Sequence, residues 1–199
     1  MSIQNIQTPL NFKGTCSEAL KEHIGEEFDL TPQSQSTTED STNGNPWMGL
    51  SSRYRLKTLL GSGSWGSVME ADDTVTGKPV AIKLIRDFMR TDYTCLNVLR
   101  EVKILRELNK LQQHASFVPR LIDIIIKDDE SDAGKQDIFL VMTSMQLDLR
   151  ELLNSGAKLS GAHIKVLVYN LLCCVRFLHS ANILHRDIKP ENILVNEKC

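Results

Sequence analysis

The 199 residues suffice for one or two domains with a substantial core, and a hydrophobic share of 41% is ordinary for a globular chain. A formal net charge of -2 argues against nucleic acid as a bulk partner. Five cysteines without a C-x-x-C pair or a matching histidine spacing give no zinc framework and point to reduced thiols in a cytoplasmic or nuclear setting. The opening MSIQNIQTPLNF lacks a basic stretch followed by an apolar core, and no apolar run approaches about 18 residues, so neither export nor a membrane partner is expected.

Residues 1 to 50 read as a disordered tail. From Thr31 to Asn45 there is no apolar residue, so burial cannot offset the entropy of ordering. A short helix over Ser17 to Phe28 is interrupted by Gly25, and the Thr8-Pro9 and Thr31-Pro32 pairs read as ordinary tail sequence rather than phosphorylation sites. Pro46 and Trp47 are placed where the tail packs onto the domain that follows.

Tyr54 to Leu60, Ser67 to Ala71 and Pro79 to Ile85 read as strands, with Thr76-Gly77-Lys78 as a hairpin turn. Between the first two lies GSGSWGSV. Gly61, Gly63 and Gly66 lack a Cβ, so the backbone can fold close over phosphate oxygens and offer N–H groups to them, with Trp65 at the tip as a cover against water. A dinucleotide site carries the same G-x-G-x-x-G letters, but there the glycines open a helix; here a strand, a turn and another strand follow. Val80 to Lys83 spells V-A-I-K, in which Lys83 is the one charge in an apolar strand and shares a face with Ala81. Taken alone, it reads as a lysine reaching to solvent. Cys95 to Leu108 has apolar residues at Leu96, Leu99, Val102, Leu105 and Leu108, the stripe of a helix, and Glu101 sits beside that stripe, 18 residues beyond Lys83. Glu107 is its rival by composition.

Phe117 to Lys127 and Asp137 to Met142 read as two more strands joined by a polar loop, completing a five-stranded antiparallel sheet with one helix. Asp148 could cap the helix LRELL that follows. Ser160 to Ser180 is the strongest helix signal, with Ser160 as N-cap, an apolar stripe from Ile164 to Leu178, and Cys173 and Cys174 as small core residues. It delivers the chain to LHRDIKPENILVN, where Asp187, Lys189 and Asn192 fall within six residues and the run Ile193 to Val195 anchors them. A carboxylate there could accept a proton from an attacking hydroxyl, the ammonium could neutralise a transferring phosphoryl group, and the amide oxygen could hold a magnesium ion.

The ordered set H-R-D-x-K-P-x-N, preceded by G-x-G-x-x-G-x-V and V-A-I-K, resembles the protein kinases over Tyr54 to Asn196. Lys189 two residues after Asp187 is similar to the serine/threonine type. LREVKILREL, LDLRELL and FLHSANILHRDIKPENILVN resemble the mitogen-activated protein kinases and their relatives, although Glu191 stands where that branch usually has serine and the hinge MTSMQ is irregular. The resemblance implies an α+β, two-lobed fold: small lobe 54–142, hinge 143–147, and the start of a helical large lobe at 148–199.

It also implies roles. ATP would lie against Leu60, Gly61, Ser62, Gly63, Ser64, Trp65, Gly66, Ser67, Val68, Ala81, Lys83, Thr143, Met145 and Leu194. Met142 would border the adenine pocket, the backbone of Thr143 to Met145 would bond the base, and Asp148 could reach the ribose. Glu101 would pair with Lys83 and orient it towards the α- and β-phosphates. Asp187 would orient the nucleophile, Lys189 would stabilise the transferring charge, and Asn192 would bind Mg2+. His185 would support the loop, and Arg186 would pair with a phosphate on the activation segment.

Protein substrates bearing serine or threonine, and an upstream activating kinase, are the partners implied. By family spacing the D-F-G aspartate falls about six residues past Cys199, so the chain is expected to be a fragment inactive by itself. A nucleotide-binding scaffold without transfer activity is the alternative, which retention of Lys83, Glu101, Asp187 and Asn192 together argues against.

Overall fold

In the computed structural model the described residues are 45–48, 50–63, 66–111, 117–128 and 135–196. The expected tail helix, the Thr-Pro pairs, Ser64 and Trp65 lie outside them. Two compact units divide the chain. One takes the described parts of Phe12–Leu99 and Leu121–Ser144, the other those of Arg100–Arg120 and Met145–Cys199.

The first unit is a five-stranded antiparallel sheet: β1 (Tyr54–Gly63), β2 (Gly66–Asp73), β3 (Lys78–Ile85), β4 (Leu121–Asp128) and β5 (Gln136–Thr143), in the order β1-β2-β3-β5-β4. Strict alternation along β3 sends Val80, Ile82 and Leu84 to one face, where they are buried with Phe139 and Val141 of β5 and Ala71 of β2. Trp47, Leu50 and Tyr54 complete this cluster, so from Asn45 onward the chain is built into the sheet, and the tail expected up to residue 50 stops short of that. The side chain of Asp73 is almost fully buried at the end of β2. It accepts from Arg53 Nε and Nη2, both at 2.8 Å, from Thr76 Oγ1 at 2.9 Å and from Val75 N at 3.1 Å. The Arg53 fork holds the Asp73 carboxyl well below the usual carboxylate range.

Among the boundaries that differ from the sequence reading are those of β4 and of the first helix. β4 begins at Leu121 rather than Phe117, because Pro119 has no N–H to donate to a ladder and restricts Val118 before it. The helix expected over Cys95 to Leu108 runs as α1 (Asp92–Leu111), capped by Thr91, whose Oγ1 accepts from Thr94 N at 3.1 Å. Its buried stripe is Cys95, Val98, Leu99, Val102, Leu105 and Leu108, with Leu96 only half-buried. Cys95 is disulfide-bonded, whereas Cys173 and Cys174 are free thiols. The expectation of reduced thiols throughout rested on spacing, which does not register cysteines that the fold brings together.

In the second unit, β6 (Leu147–Asp148) leads into α2 (Leu149–Asn154), α3 (Gly161–Ser180), a 3₁₀ turn (Pro190–Asn192) and β7 (Leu194–Val195). Asp148 caps α2 in a reciprocal box with Glu151, and Ser160 caps α3 with His163. Cys174 and Leu178 of α3 are buried, and Cys174 Sγ donates to Phe117 O at 3.3 Å; burial pushes its thiol up to about 11. Ile164, Val168 and Leu172 of the same helix are half or more exposed. By length and composition alone α3 could cross a membrane, although Lys165 and Arg176 lie within it.

Candidate active site

The glycine motif is a hairpin tip. Gly61 faces Val68, Ser62 faces Ser67 and Gly63 faces Gly66, with β2 starting at Gly66 as a strand, not a helix. Ser62 Oγ and Ser67 Oγ are 3.0 Å apart across it. The three glycines are not equivalent. At Gly66, with φ of +115°, a Cβ would stand 2.1 Å from Leu84 O of β3, so the backbones here approach too closely for any side chain. At Gly61 and Gly63 a Cβ would meet nothing within 4 Å among the described residues, so nothing described around them demands glycine.

Lys83 lies one ladder row into the sheet, opposite Val68 on β2 and Leu140 on β5. It shares its face with Ala81, which pairs with Met142, on the side away from the Trp47 cluster. Leu60 is exposed on β1; Thr143 ends β5 opposite Val80, and Met145 follows half-buried outside the strands. Lys83 is only 7% exposed and does not reach to solvent, the reading that Glu101 on the following helix already argues against. In the second unit Glu101 on α1 is likewise 7% exposed, while its rival Glu107 is exposed and bound to Lys110 at 3.2 Å. The two glutamates are thereby distinguished by burial.

Asp187, Lys189 and Asn192 are brought together. Lys189 Nζ stands 3.1 Å from Asp187 Oδ2, and Asn192 Nδ2 donates to both Asp187 O and Asp187 Oδ2 at 2.8 Å. Two oxygens facing the same amide atom require it to be nitrogen, since an oxygen there would be repelled by both. No hydrogen bond among the described residues uses Asn192 Oδ1 or Asp187 Oδ1. The bonded Lys189 ammonium holds the Asp187 carboxyl below its usual range, so it is ionised at neutral pH.

The loop is held from several sides. Asp187 N donates to Nδ1 of the buried His185 at 3.2 Å, and burial lowers the His185 pKa, so the neutral imidazole accepts. Arg186 adopts a left-handed φ of 62°, a conformation that a non-glycine residue holds only when its surroundings enforce it. Leu149 N donates to Ile193 O at 2.8 Å, and β6 pairs with β7, Asp148 opposite Leu194. Glu191 pairs with Arg150 of α2, a tie that LHRDIKPENILVN alone does not disclose. Among the described residues no cluster of three or more histidine, cysteine, aspartate or glutamate side chains could hold a metal ion.

A strand-borne buried lysine behind a glycine hairpin, and a carboxylate held by a lysine and an asparagine on one anchored loop, are the parts of a phosphoryl-transfer domain. The family model of the protein kinase domain matches residues 54–199. Over 151 residues, 76% of this chain, it is 37% identical to mitogen-activated protein kinase 13 of Oryza sativa subsp. indica and to mitogen-activated protein kinase 18 of Arabidopsis thaliana, covering 28% and 23% of those proteins. Mitogen-activated protein kinase 20 of Arabidopsis thaliana is 34% identical over the same length. The chain belongs to the protein kinase family, with the small-lobe sheet and part of the large lobe, and is similar to the mitogen-activated protein kinases. It spans about a quarter of the length of the curated relatives it matches.

Proposed function

We propose that this chain is part of a serine/threonine protein kinase that moves the γ-phosphoryl group of ATP to a hydroxyl on a protein. The observation that carries the reading is the Asp187 carboxylate, whose Oδ2 is occupied by Lys189 and Asn192 while Oδ1 has no hydrogen-bond partner among the described residues. An open oxygen of fixed direction can receive the substrate hydroxyl's hydrogen bond. With its pKa held down, Asp187 chiefly orients the nucleophile and takes the proton late, as a loose phosphoryl-transfer transition state requires.

Lys189 lends positive charge to the transferring group. Asn192, with both amide hydrogens spent on Asp187, would offer its Oδ1 as a ligand for magnesium, which when bound neutralises phosphate oxygens. In the sheet unit, Gly61 and Gly63 carry no side chain to keep phosphate from the backbone, and Lys83 supplies the charge. Burial of Glu101 rather than Glu107 supports it as the partner that orients Lys83. The serine/threonine assignment is supported by Lys189 and by the named relatives.

Asp187→Asn in the protein carrying the whole kinase domain tests this. The expected result is a fall in kcat of about 10²–10⁴-fold, with ATP affinity changed less than threefold. Equal losses in the two, or turnover within tenfold of the parent, would remove Asp187 from the chemistry. Nucleotide binding without any transfer by the parent protein would favour the scaffold instead.

A further inference from the structure

Residues 45–48 and 50–53 precede the stretch that the family model covers, yet they are tied across the outer face of the sheet at three strands. On β4, Lys127 Nζ donates to Met48 O at 2.6 Å, and Asp123 Oδ2 accepts from Tyr54 OH at 2.8 Å, just past the segment. On β5, Trp47 meets Phe139 edge-on with ring centroids 5.7 Å apart. On β2, Arg53 grips Asp73 with two bonds of 2.8 Å. β3, which carries Lys83, lies between β2 and β5 and is flanked by two of these ties.

Lys83 sits between Ile82 and Leu84, whose side chains enter the cluster that Trp47 and Leu50 close. Successive side chains of a strand point to opposite faces, so fixing Ile82 and Leu84 on the outer face fixes the direction in which Lys83 leaves the other. Leu84 also lies opposite Ser67 and presses its carbonyl against Gly66, which links the same cluster to the glycine hairpin. A packed core has discrete arrangements rather than a continuum, so loss of the Trp47 ring would be transmitted to Lys83 as a change of position and not merely as looseness.

We propose that residues 45–48 and 50–53 form a strap that sets the position of Lys83, with Trp47 as a positioning residue whose docking raises nucleotide affinity. The proposal rests on the reading of Lys83 as a phosphate ligand. By linkage the coupling is reciprocal: if the docked strap tightens ATP binding, ATP tightens the strap by the same factor.

The test uses the 199-residue chain with ATP and magnesium chloride, and Trp47→Ala, Trp47→Phe and Lys83→Met variants. Titration is expected to show ATP binding weakened at least fivefold by Trp47→Ala and less than twofold by Trp47→Phe, at temperatures where circular dichroism gives the parent spectrum. Hydrogen exchange is expected to show ATP slowing the amides of Met48 and Tyr54, which donate to Asn45 O and Ser51 O, in the parent and not in Lys83→Met. Parent affinity retained by a less stable Trp47→Ala would make the strap simple packing and overturn the proposal. Where Trp47→Ala does not fold, the exchange measurement on the parent decides, and no slowing by ATP overturns it. A parent that does not bind ATP, or a Lys83→Met that binds it as the parent does, refutes the site reading itself, and the strap proposal falls with it.

Discussion

Gly66→Ala separates a glycine that the fold requires from two that it does not. The new methyl carbon would stand 2.1 Å from Leu84 O, about 1 Å inside the closest approach that real side chains tolerate, and the residue would keep a φ of +115°. Strain in that backbone region costs about 1–3 kcal/mol. Moving β2 away from β3 to relieve the contact gives up the ladder where Ser67 faces Leu84, at about 1 kcal/mol per bond lost. The sum is about 3 kcal/mol, a shift in the urea midpoint of about 1–2 M for a small unit. Gly61→Ala and Gly63→Ala meet nothing within 4 Å among the described residues and are expected to raise stability by about 0.5 kcal/mol, while weakening ATP binding severalfold by covering the N–H groups. Urea unfolding followed by circular dichroism, beside ATP titration of the same three variants, reads both effects. A Gly66→Ala midpoint equal to the parent's, or Gly61→Ala and Gly63→Ala as damaging to the fold as Gly66→Ala, would refute the assignment.

Asp73→Asn keeps the shape but removes the charge that Arg53 grips, and is expected to cost about 3 kcal/mol at pH 7. Because the folded pKa of Asp73 is depressed, its stabilisation is complete above the unfolded value of about 3.9 and is lost as pH falls through the lower folded one. The gap between parent and variant in urea midpoint should therefore shrink on going from pH 7 to below pH 4, and a constant gap would count against the pair. Asn192→Asp puts a second carboxylate where the amide now lies 2.8 Å from Asp187 Oδ2, so carbon-13 titration should show one of the two carboxyls raised above the ordinary range, against a depressed Asp187 in the parent.

Much of the site was legible in sequence because its letters report local necessities. Alternation along PVAIKLI sets Lys83 opposite the core face, and HRDIKPEN places an acid and a cation just before the turn that Pro190 initiates and an amide at its end. Caps at Asp148 and Ser160 follow from residue types that accept from the third following N–H, and both are present. Glycines were legible only as a set. What distinguishes Gly66 from Gly61 and Gly63 is the carbonyl of Leu84, which comes from another strand.

The sequence by itself determined the class of fold and singled out the candidate site residues, since periodicity and motif spacing are properties of neighbours along the chain. Tertiary structure decided how deeply Lys83 is buried, which of Glu101 and Glu107 is withdrawn from solvent, that Glu191 is held by Arg150, and that Trp47 and Leu50 pack against the sheet. Each of these depends on a partner many residues away. Local propensity carries no information about such a partner, because only chain folding brings it within the few ångströms over which packing and hydrogen bonding act.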